Sequence, residues 1–194
     1  MKNKKILLVL ILAFVLLLGG AYVLYDRLGE TAVPDQLAVQ PPQTESPEPT
    51  QSTTPQTPAA PDFTVYNGEG NEVHLYDYIG KPVVLNFWAS WCGPCQMEMP
   101  DFNEKYLELG EEVAFLMVNM TDGDRETVET ASAFIAGTEY VFPVFYDTDV
   151  DAAMKYSVYS LPTTYFIDAQ GHAIAQATGA IDAETLQTGI DMIR

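Results

Sequence analysis

Near the middle of the chain lies the stretch Trp88-Ala89-Ser90-Trp91-Cys92-Gly93-Pro94-Cys95, which contains both cysteines of the protein. The apolar run 83–88 leads into it, a pattern typical of a strand buried on both faces of a sheet. A helical pattern leads out of it from Gly93 to about Leu109 and is ended by Gly110. The sequence therefore predicts two thiols at the point where a central strand gives way to a helix.

The spacing of the two cysteines favours redox exchange over stapling of the fold. A bridge between residues three apart closes almost no loop, so it adds little stability. At a helix N-terminus, free backbone N–H groups and the helix dipole stabilise a thiolate, the form that attacks a disulfide. We therefore expect Cys92 to ionise more readily than a free cysteine. Cys95, on the inner side of the first turn, is placed to attack the mixed disulfide that Cys92 forms.

A metal site is the weaker interpretation of this pair. Four-coordinate zinc needs more ligands than two cysteines provide, and the two histidines, His74 and His172, lie far away in sequence. We predict neither a metal nor a bound cofactor, since the Cys92–Cys95 disulfide is itself the redox group.

The first 29 residues predict a membrane anchor. Three lysines precede an uncharged run of about 20 residues, 6–25, which is long enough as a helix to cross a bilayer. The lysine excess predicts a cytoplasmic N-terminus and an extracytoplasmic remainder. A cleaved signal peptide is the alternative, but its apolar core would be unusually long and no clear cleavage site follows.

Composition divides the rest of the chain into a linker and a domain. Residues 30–60 are rich in Pro, Gln, Thr and Ser and predict a disordered tether, because they cannot bury enough apolar surface to offset the entropy of ordering. Residues 61–194 predict the folded domain. The net charge of −18 argues against nucleic acid as a partner, since binding phosphates needs a basic face.

The pattern of residues 61–194 predicts an α/β domain with a central mixed sheet flanked by helices. Apolar and β-branched runs predict strands at 63–66, 73–75, 83–88, 113–119, 142–146, 163–167 and 173–177, of which the last two form a hairpin. Helical patterns cover 93–109, 124–136 and 181–190, with short turns at 76–80 and within 147–156. We expect Thr121 or Asp122 to cap the second helix and Asp182 to cap the last.

The segment from Asn86 to Cys95 resembles the active site of the thioredoxin superfamily. Its continuation Gln96-Met97-Glu98-Met99-Pro100 is similar to the TlpA/ResA branch, the membrane-anchored thioredoxin-like proteins of bacteria. The segment 160–168, Ser-Leu-Pro-Thr-Thr-Tyr-Phe-Ile-Asp, resembles the second signature of that family. The resemblance covers about residues 61–194 and implies a thioredoxin-like fold.

Position by position, the resemblance implies roles for the matching residues. It makes Cys92 the nucleophile and Cys95 the resolving thiol. Pro162 is implied to follow a cis peptide bond, and Leu161 to offer its backbone to an extended client peptide. We further expect Trp91, with the Gly93-Pro94 dipeptide, to form part of the surface on which clients dock.

Glu98 is a candidate for proton transfer. It lies three residues after Cys95, on the same face of the predicted helix. Spacing alone favours a surface glutamate, the usual fate of a glutamate on a helix. The resemblance favours the functional interpretation, in which a partly buried carboxylate has a raised pKa and exchanges protons with the thiols. Thioredoxins carry a buried aspartate where this chain has Asn86. Because Asn86 cannot accept a proton, that task falls to Glu98.

The favoured function is an anchored, extracytoplasmic thiol–disulfide oxidoreductase that reduces its clients. The Gly93-Pro94 dipeptide is that of reducing thioredoxins. The resemblance implies an integral-membrane electron donor of the CcdA/DsbD type, with apocytochrome c or methionine sulfoxide reductase as clients. The alternatives are a disulfide oxidase or isomerase of secreted proteins and a redox-sensing or metallochaperone module.

Overall fold

The computed structural model describes Leu37–Val39 and residues 58–194. The predicted anchor, residues 1–29, and most of the predicted linker lie outside the described residues. Within the described ranges, no helix has both the length and the apolar character needed to span a membrane.

A mixed sheet forms the centre of the domain. Its eight strands are β1 Leu37–Val39, β2 Thr64–Tyr66, β3 Glu72–His74, β4 Val83–Trp88, β5 Ala114–Asn119, β6 Val144–Tyr146, β7 Thr163–Ile167 and β8 Ala173–Thr178. They lie in the order β1-β8-β7-β4-β5-β6-β2-β3. The β4–β5 and β5–β6 pairs are parallel, and the other neighbouring pairs are antiparallel. The predicted α/β fold with a central mixed sheet is confirmed.

The middle strands β4 and β5 are buried along their whole length, as their continuous apolar runs predict. Successive side chains point to opposite faces of the sheet, so each face carries its own hydrophobic cluster. One cluster contains Trp88, both cysteines and Phe102, and the other contains Leu85 among its members. The dithiol is therefore continuous with the core on one face of the sheet.

In the part of the chain that the structure describes, four α-helices cover the sheet: α1 Gly93–Leu109, α2 Val128–Ala136, α3 Asp151–Lys155 and α4 Ala183–Ile193. The bounds of α1 agree with the prediction, and Gly110 ends it. Asp182 caps α4 as predicted, since its carboxylate accepts the N–H of Thr185 at 2.9 Å. A single 3₁₀ turn, Leu75–Tyr78, lies where the sequence predicts one helical turn.

The predicted start of α2 is wrong. The sequence places it near residue 124, whereas the helix begins at Val128 with Thr127 as its N-cap. The carboxylate of Asp122 accepts the N–H groups of the three residues 124–126 and thereby closes a tight turn of its own. This turn ends before the helix starts and leaves Glu126 in a loop.

The predicted hairpin is formed by β7 and β8, which pair antiparallel around residues 168–172. Asp168 stabilises the turn by accepting the N–H groups of Gln170 and His172. On its other side β7 pairs with β4, in a register that sets Thr164 beside Asn86. This register brings a polar pair into the core behind the dithiol.

Part of the predicted linker belongs to the sheet. Leu37–Val39 pair antiparallel with β8, and Ala60, which is buried, donates its backbone N–H to Gly171 O at 2.8 Å. An edge strand has free N–H and C=O groups that can pair with an extended apolar segment, and Leu-Ala-Val provides one. The composition of residues 30–60 as a whole does not reveal a strand of three residues.

Candidate functional site

The dithiol lies at the junction of β4 and α1. Cys92 is the N-cap of the helix, and its Sγ accepts the backbone N–H of Cys95 at 3.2 Å. The two sulfurs are joined in a disulfide, with 5.3 Å between the Cα atoms. Cys92 is 4% exposed and Cys95 is fully buried, so an approaching sulfur can reach only the first of them. This arrangement fits the predicted roles of attacking and resolving thiol, which stay predictions.

The segment before β7 lies outside regular structure and contains a cis peptide bond between Leu161 and Pro162, as the resemblance implies. Pro162 is buried, and its carbonyl accepts the N–H of Gly179 at 2.9 Å. Among the described residues, the backbone N–H and C=O of Leu161 have no hydrogen-bond partner. Leu161 can therefore offer both groups to an extended peptide, as its predicted role requires.

Glu98 lies one turn below Cys95 on the inner face of α1 and is only 2% exposed. Its Oε1 accepts Asn86 Nδ2 at 2.8 Å, and its Oε2 accepts the N–H of Ile181 at 3.0 Å. Burial raises the pKa of Glu98 to about 7, against the opposing effect of these two hydrogen bonds and with a small addition from Asp101. A carboxylate of this pKa changes its protonation near neutral pH, which suits proton exchange with a thiol.

Asn86 holds Glu98 in place. Besides its bond to the carboxylate, its Nδ2 donates to Thr164 Oγ1 at 3.0 Å, so both amide hydrogens are used. Sequence reasoning recognises only that Asn86 cannot accept a proton. Its contact with Glu98 depends on how α1 packs over β4, which no local pattern reveals.

A second buried carboxylate, Glu126, fixes the loop before Cys92, and sequence reasoning misses it. Glu126 is fully buried in the loop before α2. It accepts Ser90 N at 3.1 Å, Ser90 Oγ at 2.8 Å and Asn119 Nδ2 at 3.0 Å. The predicted helix start near residue 124 hides this role, because it would place Glu126 in the first turn of a helix.

Beside Cys92 lies an exposed aromatic ring with a cation above it. Trp91 is 41% exposed, and the Arg125 guanidinium carbon lies 3.5 Å from the centroid of its indole ring. Gly93 and Pro94 are exposed, as a docking surface requires. Tyr159, two residues before Leu161, is 93% exposed. Arg125, through its contact with Trp91, is an addition to the set that the sequence predicts.

Within the described residues, no group of three His, Cys, Asp or Glu side chains is arranged to hold a metal ion.

Comparison with known proteins gives consistent matches. A model of the AhpC/TSA family matches residues 57–176. The thiol-disulfide oxidoreductase ResA of Bacillus thuringiensis subsp. konkukian is 39% identical over 131 residues, which are 66% of this chain and 72% of that protein.

Two solved structures match the fold at similar extent. One is a putative thiol:disulfide interchange protein DsbE from Chlorobium tepidum, with 31% identity, a TM-score of 0.61, and coverage of 68% of this chain and 92% of that one. The other is the exposed lipoprotein thioredoxin Etrx1 from Streptococcus pneumoniae, with 33% identity, a TM-score of 0.59, and coverage of 68% and 99%. The predicted thioredoxin-like fold is confirmed.

Proposed function

Since the chain belongs to the AhpC/TSA family and is a thioredoxin-like thiol–disulfide oxidoreductase of the ResA type, we propose that it acts as a membrane-anchored, extracytoplasmic reductant of client disulfides. The exchange itself is a property of the Cys92–Cys95 pair. The proposal adds the direction of electron flow, the compartment and the partners.

The observation that carries the direction is Glu98, buried on the same helical face as Cys95. A dithiol is a strong oxidant when its reduced, thiolate form is stabilised. A carboxylate beneath the pair opposes a second negative charge nearby, so it disfavours the thiolate and favours giving electrons away. The exposed Gly93-Pro94 dipeptide, shared with reducing thioredoxins, supports the same direction.

The reaction proceeds in two exchanges. The Cys92 thiolate attacks one sulfur of a client disulfide; the client S–S bond breaks, a mixed disulfide forms, and one client thiolate leaves. Cys95 then loses its proton to Glu98, and its sulfur attacks Cys92 Sγ. The mixed disulfide breaks, the second client thiolate leaves, and the Cys92–Cys95 disulfide holds the two electron equivalents of oxidation. Meanwhile Trp91, Pro94 and the backbone of Leu161 hold the client chain.

An extracytoplasmic protein of this kind needs a supply of electrons, because its compartment oxidises thiols. The proposed donor is an integral-membrane thiol carrier of the CcdA/DsbD type, and the proposed clients are apocytochrome c or a methionine sulfoxide reductase. The lysines before the apolar run 6–25 support the orientation. The relative from Streptococcus pneumoniae is described as an exposed lipoprotein, which agrees with an external address.

The direction is tested by equilibrating the purified full chain with glutathione. A reductant should have a reduction potential below about −200 mV, whereas a value near or above about −150 mV would make it an oxidase or isomerase. Trapping with Cys95→Ser in cells should isolate clients as mixed disulfides on Cys92. The Cys92→Ser, Cys95→Ser double variant is the matched control, and recovery of cytoplasmic proteins alone would contradict the proposed compartment.

A further inference from the structure

One buried acceptor behind the dithiol has no partner. Among the described residues, two buried side-chain nitrogen or oxygen atoms lack a hydrogen bond: Asn86 Oδ1 and Trp88 Nε1. Only the first is an acceptor. An unpaired buried acceptor costs about 1–3 kcal/mol, so its place beside a functional group calls for an explanation.

The acceptor lies on the same face of the sheet as the dithiol, because Asn86 alternates along β4 with Val84 and Trp88, which belong to the cluster that contains both cysteines. Asn86 contacts Glu98 through Nδ2, and Glu98 is one helical turn from Cys95 on the inner face of α1. In the disulfide, the sulfur of Cys95 carries no hydrogen. Reduction breaks the S–S bond, adds two electrons from the donor dithiol and gives Cys95, which is fully buried, an S–H group without water around it. A buried donor then needs an acceptor in the core.

We propose that Asn86 is a positioning residue for proton transfer: its amide nitrogen holds Glu98, and its carbonyl accepts the S–H of Cys95 when the disulfide is reduced. The Asn86 amide then keeps the Cys95 S–H and the Glu98 carboxylate, which receives its proton, next to each other. When Cys95 attacks the mixed disulfide, its proton passes to Glu98, the S–H···Oδ1 bond is lost, and Oδ1 returns to its unpaired state. This inference deepens the proposed function, although it rests only on the dithiol exchange, which is common to reductants and oxidants.

The groups that face Glu98 are few. On α1 they are Cys95 and Asp101, and Asp182 at the start of α4 shares with Glu98 a groove of about 260 Å³. On β4, Asn86 contacts Glu98, and Thr164 on β7 contacts Asn86; both are uncharged. Asp101 and Asp182 line the groove. On the strand side, the neutral amide of Asn86 is the group next to Glu98 that can receive a thiol hydrogen.

The chain contains a matched control in Asn119, which is also fully buried and belongs to the neighbouring strand β5. Its Nδ2 donates to Glu126, as that of Asn86 does to Glu98, but its Oδ1 already accepts Thr121 Oγ1 at 2.8 Å. A response to reduction should therefore be confined to Asn86.

The first test is NMR of the full chain labelled with ¹³C at asparagine side-chain carbonyls. On reduction, the Asn86 carbonyl signal should move in the direction of a new hydrogen bond, while that of Asn119 stays in place. An Asn86 signal that does not respond would overturn the inference, and this measurement needs no variant to fold.

The second test compares Asn86→Leu with Asn103→Leu, a change on α1 two turns beyond Cys95, at pH 5.5, below the pKa of about 7 of Glu98, so that the carboxyl is protonated in all proteins. Asn86→Leu should shift the equilibrium with a reference dithiol about three- to fivefold toward the disulfide, because the reduced form loses one weak hydrogen bond. Asn103→Leu should leave it unchanged. Equal shifts in both would overturn the inference and leave the reductant proposal standing, whereas a high potential in the wild type would do the reverse.

Discussion

Two glutamates are buried in the described part of this domain, and they differ in what surrounds their oxygens. Glu126 accepts three hydrogen bonds, two from Ser90 and one from Asn119, so its carboxylate is occupied from both the active-site loop and the sheet. Glu98 accepts two, and its pKa is raised to about 7 because burial outweighs them. The three hydrogen bonds of Glu126 hold the active-site loop against the sheet, and we call this group the clamp. The raised pKa of Glu98 suits it to carry a proton instead.

The largest expected effect is on the clamp. Glu126→Ala leaves one buried donor, on Asn119, and two partly buried donors, on Ser90, without their acceptor, which should reduce the free energy of unfolding by about 3–5 kcal/mol. Urea denaturation of the full chain measures it. Glu129→Ala, three residues on and exposed, is the control and should change stability by less than about 0.5 kcal/mol. A loss below about 1 kcal/mol for Glu126→Ala would contradict the structural role assigned to it.

The next effect distinguishes Glu98 from Glu126 by the pH dependence of stability. The pKa of Glu98 in the folded state, about 7, lies above its ordinary value of 4.5, so the folded protein binds the proton more tightly than the unfolded one. Stability from this group is complete below pH 4.5 and is lost as pH rises to 7, amounting to about 3 kcal/mol. Glu98→Gln should remove this slope and slow turnover about tenfold or more.

Glu104→Gln, an exposed change on the same helix, is the control for that experiment. It should keep both the wild-type slope of stability against pH and the wild-type turnover. If Glu98→Gln gave a stability curve parallel to that of the wild type, Glu98 would be a structural residue like Glu126.

A smaller effect concerns one hydrogen bond of the clamp, that of the Ser90 hydroxyl to Glu126. Ser90→Ala removes the hydroxyl donor and keeps the backbone N–H bond to Glu126, so it should cost about 1 kcal/mol of stability. Because Ser90 is two residues before Cys92, alkylation of the reduced protein should also change in rate. Ser132→Ala, which removes a hydroxyl bonded to Tyr146, is the comparison and should leave that rate unchanged. Identical alkylation rates in both variants would show that the clamp does not act on Cys92.

The smallest effect lies on the surface next to the clamp. Arg125→Ala removes the cation above the Trp91 ring, a contact worth about 0.5–1 kcal/mol at an exposed site. If this contact orients Trp91 for docking, KM for a disulfide client should rise about two- to fivefold with kcat unchanged. Arg125→Lys should recover part of the loss. A change in kcat with constant KM would assign Arg125 to the chemistry instead.

Much of the site can be predicted from the chain because it is local. Val83–Trp88, Cys92, Cys95 and the helix to Leu109 are consecutive, and a strand, a turn and a helix are dictated by residues within a few positions of one another. Glu98 follows from its spacing and the resemblance. The start of α2 could not be predicted, because Asp122 caps a tight turn with the same residue type that caps helices.

By itself, the sequence determined the α/β fold and the dithiol at a helix N-terminus, since each depends on periodicity or short spacing. Spacing set Glu98 on the same helical face as Cys95, and its burial was decided by packing. Only the tertiary structure decided which side chains meet across the sheet. Asn86 meets Glu98 twelve residues away and Thr164 from another strand, and Ser90 meets Glu126 thirty-six residues away. These contacts arise from strand register and helix packing, which join positions that no local pattern connects.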